Sequence, residues 1–270
     1  MNAYFPSVSY RRLSVFFYAI ALISLSCATT GPGGKKSLVF IGSGTETSMG
    51  KQAQQQVLSQ SKVLADSAWQ NYVSEVGQSL AQFSERKDVR YSFTVLDSKE
   101  INAFALPGGP LFIYTGLLKL MDDEAELAAV LGHEIGHVDG RHAVRQMQPV
   151  VGISAVEALA FGDKSPAAQQ ALNVVLGIAL TGYSRSHELE ADRFGLVYMQ
   201  RAGYNPEGTL RMFKKLGAGE KGESSTFEKL TATHPQTQER IAKLETEINK
   251  LPSGGKTGKE TYTQMKKRLP

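Results

Sequence analysis

The strongest constraint in this chain is the run His133-Glu134-Ile135-Gly136-His137. On an α-helix four residues advance a side chain by about 400°, so the two histidines stand about 40° apart on one face. Their imidazoles can meet at one metal ion. Glu134 is turned about 100° from the first histidine and about 60° from the second, so it flanks that ion and can take a proton from an activated water. The surrounding residues call for a helix: Asp123 with Glu126 makes a capping box, and Leu127, Val130, Leu131, Ile135 and Val138 keep a helical stripe. Two histidines and a glutamate on an otherwise apolar, capped helix need a partner, and a metal ion fits their spacing.

A catalytic zinc takes a third protein ligand and keeps a position open for water. His142 is the nearest candidate. In the pattern HExxHxxGxxH, Gly140 is in place, but the last histidine would fall where Ala143 stands. On a continuing helix His142 lies about 140° round from His137 and is expected to be solvated. Glu188, in SRSHELEAD, is the better candidate. Glu188 and Asp192 are four apart and share a helix face, so one can bind the metal while the other holds a ligand imidazole by its second nitrogen. Spacing alone leaves Glu188 equally readable as an ordinary surface acid on an amphipathic helix, as Glu190 is. Glu190, Asp139 and His187 read as surface or packing residues.

The rest of the chain frames this site. Arg11-Arg12 precede LSVFFYAIALISLS, residues 13–26, which carry no charge and are too few to span a bilayer comfortably. Residues 1–26 therefore read as a signal peptide. Ser24-Leu25-Ser26-Cys27 resembles a bacterial lipobox, although Ser24 replaces the usual aliphatic residue; cleavage after Ala28 is the rival reading. A lipid on Cys27 would make it a membrane anchor. Ala28 in place of Asp would then favour the outer membrane, on the periplasmic side. The lone cysteine excludes an internal disulfide. Residues 27–45 read as a flexible tether. GSGTETSMGK lacks the glycine and hydroxyl spacing of a phosphate loop and reads as a loop leading into a helix.

Period-three-to-five apolar positions predict a helix within 63–83, alternation a strand over 89–96, and Pro107-Gly108-Gly109-Pro110 a tight turn between two strands in 101–115. Helical regions follow at 150–182, at 186–202, from Asn205-Pro206 to Gly217, and from Pro235. A mobile loop is expected at 218–226. Residues 250–270 carry six Lys/Arg and one Glu and read as a basic C-terminal tail, extended or frayed, over 251–270. With basic charge confined to the ends, nucleic acid is not an expected partner.

HEIGHVDGRH, followed some distance on by SRSHELEAD, resembles the zinc metallopeptidases of family M48, the group of CAAX prenyl proteases, HtpX-like proteases and the mitochondrial Oma-type protease. NAFALPGGPLFIYTGLL, Ala202-Gly203-Tyr204-Asn205-Pro206 and Thr233-His234-Pro235 with Glu239-Arg240 carry the likeness through 46–250. The resemblance implies an α+β, predominantly α, zincin-like metallopeptidase domain over 46–250, with a small mixed sheet beside the HExxH active-site helix. It implies one Zn2+ per chain on His133, His137 and Glu188, with Glu134 as general base. It implies Asp192 and Arg240 as supporting groups, and His234 either stabilising the oxyanion or capping the metal at rest. Asn102, Ala103, Phe104 and Ala105 would be the strand edge on which an extended substrate pairs. The function implied is an exported endopeptidase acting on unfolded or misassembled cell-envelope polypeptides. A latent or chaperone-like envelope protein with a closed zinc site is the alternative.

Overall fold

The computed structural model describes residues 27–220, 234–235 and 238–270. The expected signal peptide, residues 1–26, and the expected loop residues 221–226 lie outside the described residues. Among those described, no helix is long and apolar enough to cross a membrane.

At the centre is a small mixed sheet. Strand β3 (Ser92–Leu96) runs parallel to β5 (Pro110–Tyr114), which pairs on its other side, antiparallel, with β4 (Ala103–Ala105). Side chains alternate across it. Val95, Ala103, Leu111 and Ile113 join one apolar core, while Leu96, Phe104 and Phe112 join a second on the opposite face. Burial on both faces explains why the β5 sequence is a run of apolar residues rather than an alternation.

The first core is built by α2 (Ser67–Ala81), α4 (Glu124–Asp139) and α8 (Arg185–Arg201), with Trp69, Val73, Leu127, Ile135 and Tyr198 at its centre. The second is built by α1 (Ser43–Gln60), α5 (His142–Met147), α6 (Ile153–Ala160) and α7 (Pro166–Thr181). Short α3 (Thr115–Leu120) leads from β5 towards α4; α9 (Glu207–Glu220) and α10 (Gln238–Ile248) pack beside α8. The α4 N-cap is as expected, with the Asp123 carboxylate accepting from the Glu126 N–H. Its partner differs slightly: the Glu126 carboxylate accepts from the Asp122 N–H instead.

Four expectations need correction. Residues 27–38 are not a free tether: β1 (Cys27–Thr30) and β2 (Lys35–Leu38) form an antiparallel hairpin, and Arg193 donates to the Pro32 carbonyl at its turn. The glycine-rich stretch after it is already helical from Ser43, and α9 continues past Gly217. Nor is the basic tail frayed. Residues Lys259–Lys266 form α11, whose Tyr262 is fully buried, edge-on to Trp69 at 5.8 Å, with its hydroxyl donating to the Leu118 carbonyl. A helix this short owes its existence to that packing, not to local propensity.

Candidate metal centre

Helices α4 and α8 cross closely because both are smooth at the crossing: a Cβ on Gly132 would lie 3.3 Å from Gly195, and one on Gly136 only 2.9 Å from the Ala191 carbonyl oxygen. That crossing carries His133 and His137 up to Glu188 and Asp192. His234, just before α10, joins from above.

The groups converge on one point. His133 Nε2 and His137 Nε2 are 3.0 Å apart, and His133 Nε2 is 3.2 Å from His234 Nδ1. Glu188 lies 3.4 Å from each of the α4 imidazoles and 3.0 Å from His234 Nδ1. One donor atom from each of His133, His137, Glu188 and His234 falls within 4.8 Å of the others. Glu134 stands beside them. Its Oε1 is 3.6 Å from His234 Nε2, and the Ala105 N–H of β4 also bonds its carboxylate. Oε2 is buried without a hydrogen-bond partner among the described residues.

The surroundings fix these groups. Asp192 accepts from His133 Nδ1 at 3.0 Å, which leaves the Nε2 lone pair facing the cluster. Arg240 grips Asp192 through two bonds of 2.7 Å and reaches Glu188 at 2.8 Å. Burial alone would raise the Glu188 carboxyl, but His234, His133 and His137 outweigh it and hold Glu188 well below the usual carboxylate range. The same contest, decided by Arg240, lowers Asp192. Glu134 moves the other way: burial dominates and raises its pKa, the direction that suits a base which must later give its proton up. Converging imidazole nitrogens and one carboxylate oxygen, with Glu134 Oε2 buried and unpartnered beside them among the described residues, are a donor set that suits zinc.

His142 is not solvated. Helix α4 stops at Asp139, and Arg141 takes a left-handed conformation (φ 53°) that turns the chain back. His142 is thereby fully buried behind His137, with their Nδ1 atoms 3.0 Å apart and its Nε2 3.1 Å from Glu190. Arg141 is held in place by Glu46 at 2.8 Å and by the Ile41 carbonyl at 2.6 Å. Glu190 is no surface acid either, since it also pairs with Arg145 at 2.7 Å. Asp139 has a packing role, accepting from the Glu85 N–H and the Tyr198 hydroxyl. Tyr183, missed by the sequence reading, stacks on His137 with ring centroids 4.0 Å apart; no spacing rule points to it.

Strand β4 (Ala103–Ala105) is an edge of the sheet and lies beside Glu134, and Asn102 directly precedes it. All four residues are buried in this structure, however. A small, mostly apolar cleft lies next to His133, Glu134 and His234, walled by Ala129, Val130, Leu196, Met212, Phe213 and Leu216.

The fold and site are those of a zincin-like metallopeptidase, α+β and mostly helical. Residues 67–248 match the peptidase family M48, and the chain belongs to that family. It is 28% identical over 218 residues to the beta-barrel assembly-enhancing protease of Escherichia coli K12, covering 77% of this chain and 45% of that protein. It is 31% identical over 176 residues to the mitochondrial metalloendopeptidase OMA1 of Schizosaccharomyces pombe, covering 64% and 51%. It is 32% identical over 181 residues to the metalloprotease LoiP of Escherichia coli K12, covering 65% and 69%. The chain thus spans about half the length of the first two of these relatives.

Proposed function

We propose that this protein is a zinc-dependent endopeptidase of the bacterial cell envelope that cleaves unfolded or misassembled envelope polypeptides. The observation that carries the reading is the convergence of His133, His137 and Glu188, with Glu134 Oε2 unpartnered beside them among the described residues. These three would hold the ion, which when bound polarises the scissile carbonyl and lowers the pKa of water towards about 7. Glu134 takes the proton of the attacking water at Oε2 and passes it to the leaving amine nitrogen. The Ala105 N–H keeps that carboxylate in place. Asp192, clamped by Arg240, holds the His133 ring by Nδ1. His234 donates from Nε2 to the oxyanion as the carbonyl is attacked. The cavity beside Glu134 supports a preference for an apolar side chain next to the scissile bond. The envelope assignment draws on the uncharged run 13–26 with Cys27, where a lipid would anchor the chain to the outer membrane, and on the relative named for β-barrel assembly.

A second reading, a latent protein with a closed zinc shell, is favoured by two observations. His234 Nδ1 lies inside the cluster, and the β4 edge on which a peptide would pair is buried. One experiment addresses both readings: degradation of an unstructured protein such as casein by the zinc-loaded full chain and its Glu134→Gln variant. The endopeptidase reading expects cleavage by the wild type and a loss of at least about 10²-fold in the variant, with zinc retained. No cleavage by either, at one zinc per chain, favours the latent reading.

A further inference from the structure

We propose that His142 is a positioning residue that, together with Glu190, sets the tautomer and ring plane of His137. The inference rests on the reading of His137 as a metal ligand and goes beyond it. His137 presents Nε2 to the cluster, 3.4 Å from Glu188 and 3.0 Å from His133 Nε2. A lone pair on Nε2 requires the proton on Nδ1, and the atom facing that Nδ1 is His142 Nδ1 at 3.0 Å. For this contact to be a hydrogen bond, His142 Nδ1 must accept, so in a neutral ring its own proton sits on Nε2. That nitrogen lies 3.1 Å from Glu190 Oε2, which accepts it. One proton arrangement therefore satisfies the whole line from carboxylate through imidazole to imidazole, and it leaves the His137 lone pair pointing into the cluster.

The line is held at every member. Arg145 binds the Glu190 carboxylate at 2.7 Å and the Gly140 carbonyl at 3.1 Å, tying it to the end of α4. His187 stacks on His142 at 4.4 Å with an interplanar angle of 11°, while Tyr183 stacks on His137 at 22°. Both rings are thus constrained in plane as well as in tautomer. The left-handed Arg141 makes the arrangement possible, because a helix continued past Gly140 would carry His142 away from His137. His133 receives the equivalent service directly from Asp192; His137 receives it through an intervening imidazole.

The test is zinc affinity, read by chelator competition on the full chain, alongside the thermal midpoint of each variant without metal. His142→Leu, which keeps bulk but cannot accept, should bind zinc about 10- to 100-fold more weakly. His142→Asn, whose Oδ1 stands near the place of Nδ1, should recover most of that loss. Glu190→Gln should weaken zinc severalfold, and the visible spectrum of the cobalt(II)-loaded form should shift in His142→Leu but not in His142→Asn. Equal weakening by Leu and Asn, with Glu190→Gln at wild-type affinity, would reduce His142 to packing and overturn the proposal. If His142→Leu does not fold, Glu190→Gln decides: wild-type affinity there overturns the relay. A wild-type chain that binds no zinc, or a His137→Ala chain that keeps it, would instead overturn the reading of the site itself.

Discussion

At the residue scale, the site is a set of side chains that each have one orientation open to them. His133 is fixed by Asp192, Asp192 and Glu188 by Arg240, and Glu134 by a β4 amide. His234 is the exception, with Nδ1 among the ligand atoms and Nε2 towards Glu134. As an oxyanion donor it should be needed for turnover and not for zinc: His234→Ala should lower kcat about 10²-fold while the zinc content stays at one per chain. A rise in kcat would make His234 a cap on the metal and support the latent reading. What could be read from sequence divides along a physical line. His133, Glu134 and His137 are legible because one helix carries them at fixed angles; Glu188 and Asp192 share a face of another, but only the family resemblance singled Glu188 out as a ligand. His142 was not legible, because a single left-handed residue at Arg141 undoes the helical extrapolation on which its position was judged. Tyr183 was not, because a ring stacked across the gap between two elements leaves no periodic trace.

At the scale of elements, the α4–α8 crossing sets the distance between histidines and glutamate. Gly136→Ala places a methyl against the Ala191 carbonyl, at a contact already too short for a Cβ. The helices must part, at a cost of about 1–3 kcal/mol. The change should lower both the thermal midpoint and the zinc affinity, whereas an equal volume added on an exposed face of α4 should change neither. A second joint links the start of α1 to the segment after α2, through Arg86 bound to Glu46 and Asp88. Burial raises the Asp88 carboxyl, but hydrogen bonds from Arg86 and Ser43 outweigh it and hold it at about 2, against an ordinary 3.8. The folded pKa is depressed, so this contribution is complete above about 3.8 and disappears as pH falls towards 2. Because Asp88 is half exposed, it should amount to less than about 1 kcal/mol. Acid titration of stability should therefore lose a small step in Asp88→Asn; an unchanged profile would remove Asp88 from the joint. The β4–β5 hairpin was legible from Pro107-Gly108-Gly109-Pro110, and the α4 cap from Asp123. The C-terminal helix did leave a trace: Tyr262, Met265 and Leu269, at i, i+3 and i+7, all pack on the first core, but the lysines and glycines around them outweighed that short stripe in the reading.

At the scale of the whole molecule, the sheet separates two apolar cores, and the candidate metal centre sits on α4 and α8 of the first, with His137 backed by Tyr183 and His142 from the side of the second. His137 and Glu188 are separated in sequence by the entire α6–α7 hairpin, so their meeting is a property of packing that spacing leaves open. The family resemblance supplied it. Packing also creates the cleft between α4, α8 and α9, whose lining includes His133, Glu134 and His234. Its walls are apolar, and Arg240 lies over the Phe213 ring at 4.9 Å, joining the cavity wall to the groups around Glu188. A substrate side chain entering it would be the one next to the bond being cut. Ala129, one turn before His133 on α4, lines the cleft and is not one of the clustered residues. Ala129→Leu should therefore shrink the cavity and leave the metal groups alone. Discrimination by apolar fit runs to about 1–3 kcal/mol, or 10- to 200-fold. Fragments of a digested peptide mixture, identified by mass spectrometry, should show the wild type cutting beside Leu and Phe. The variant should lose those cuts by about tenfold or more, keep cuts beside Ala, and still depend on Glu134. An unchanged cleavage pattern in a folded, zinc-bound Ala129→Leu chain would mean that the substrate does not use this cavity.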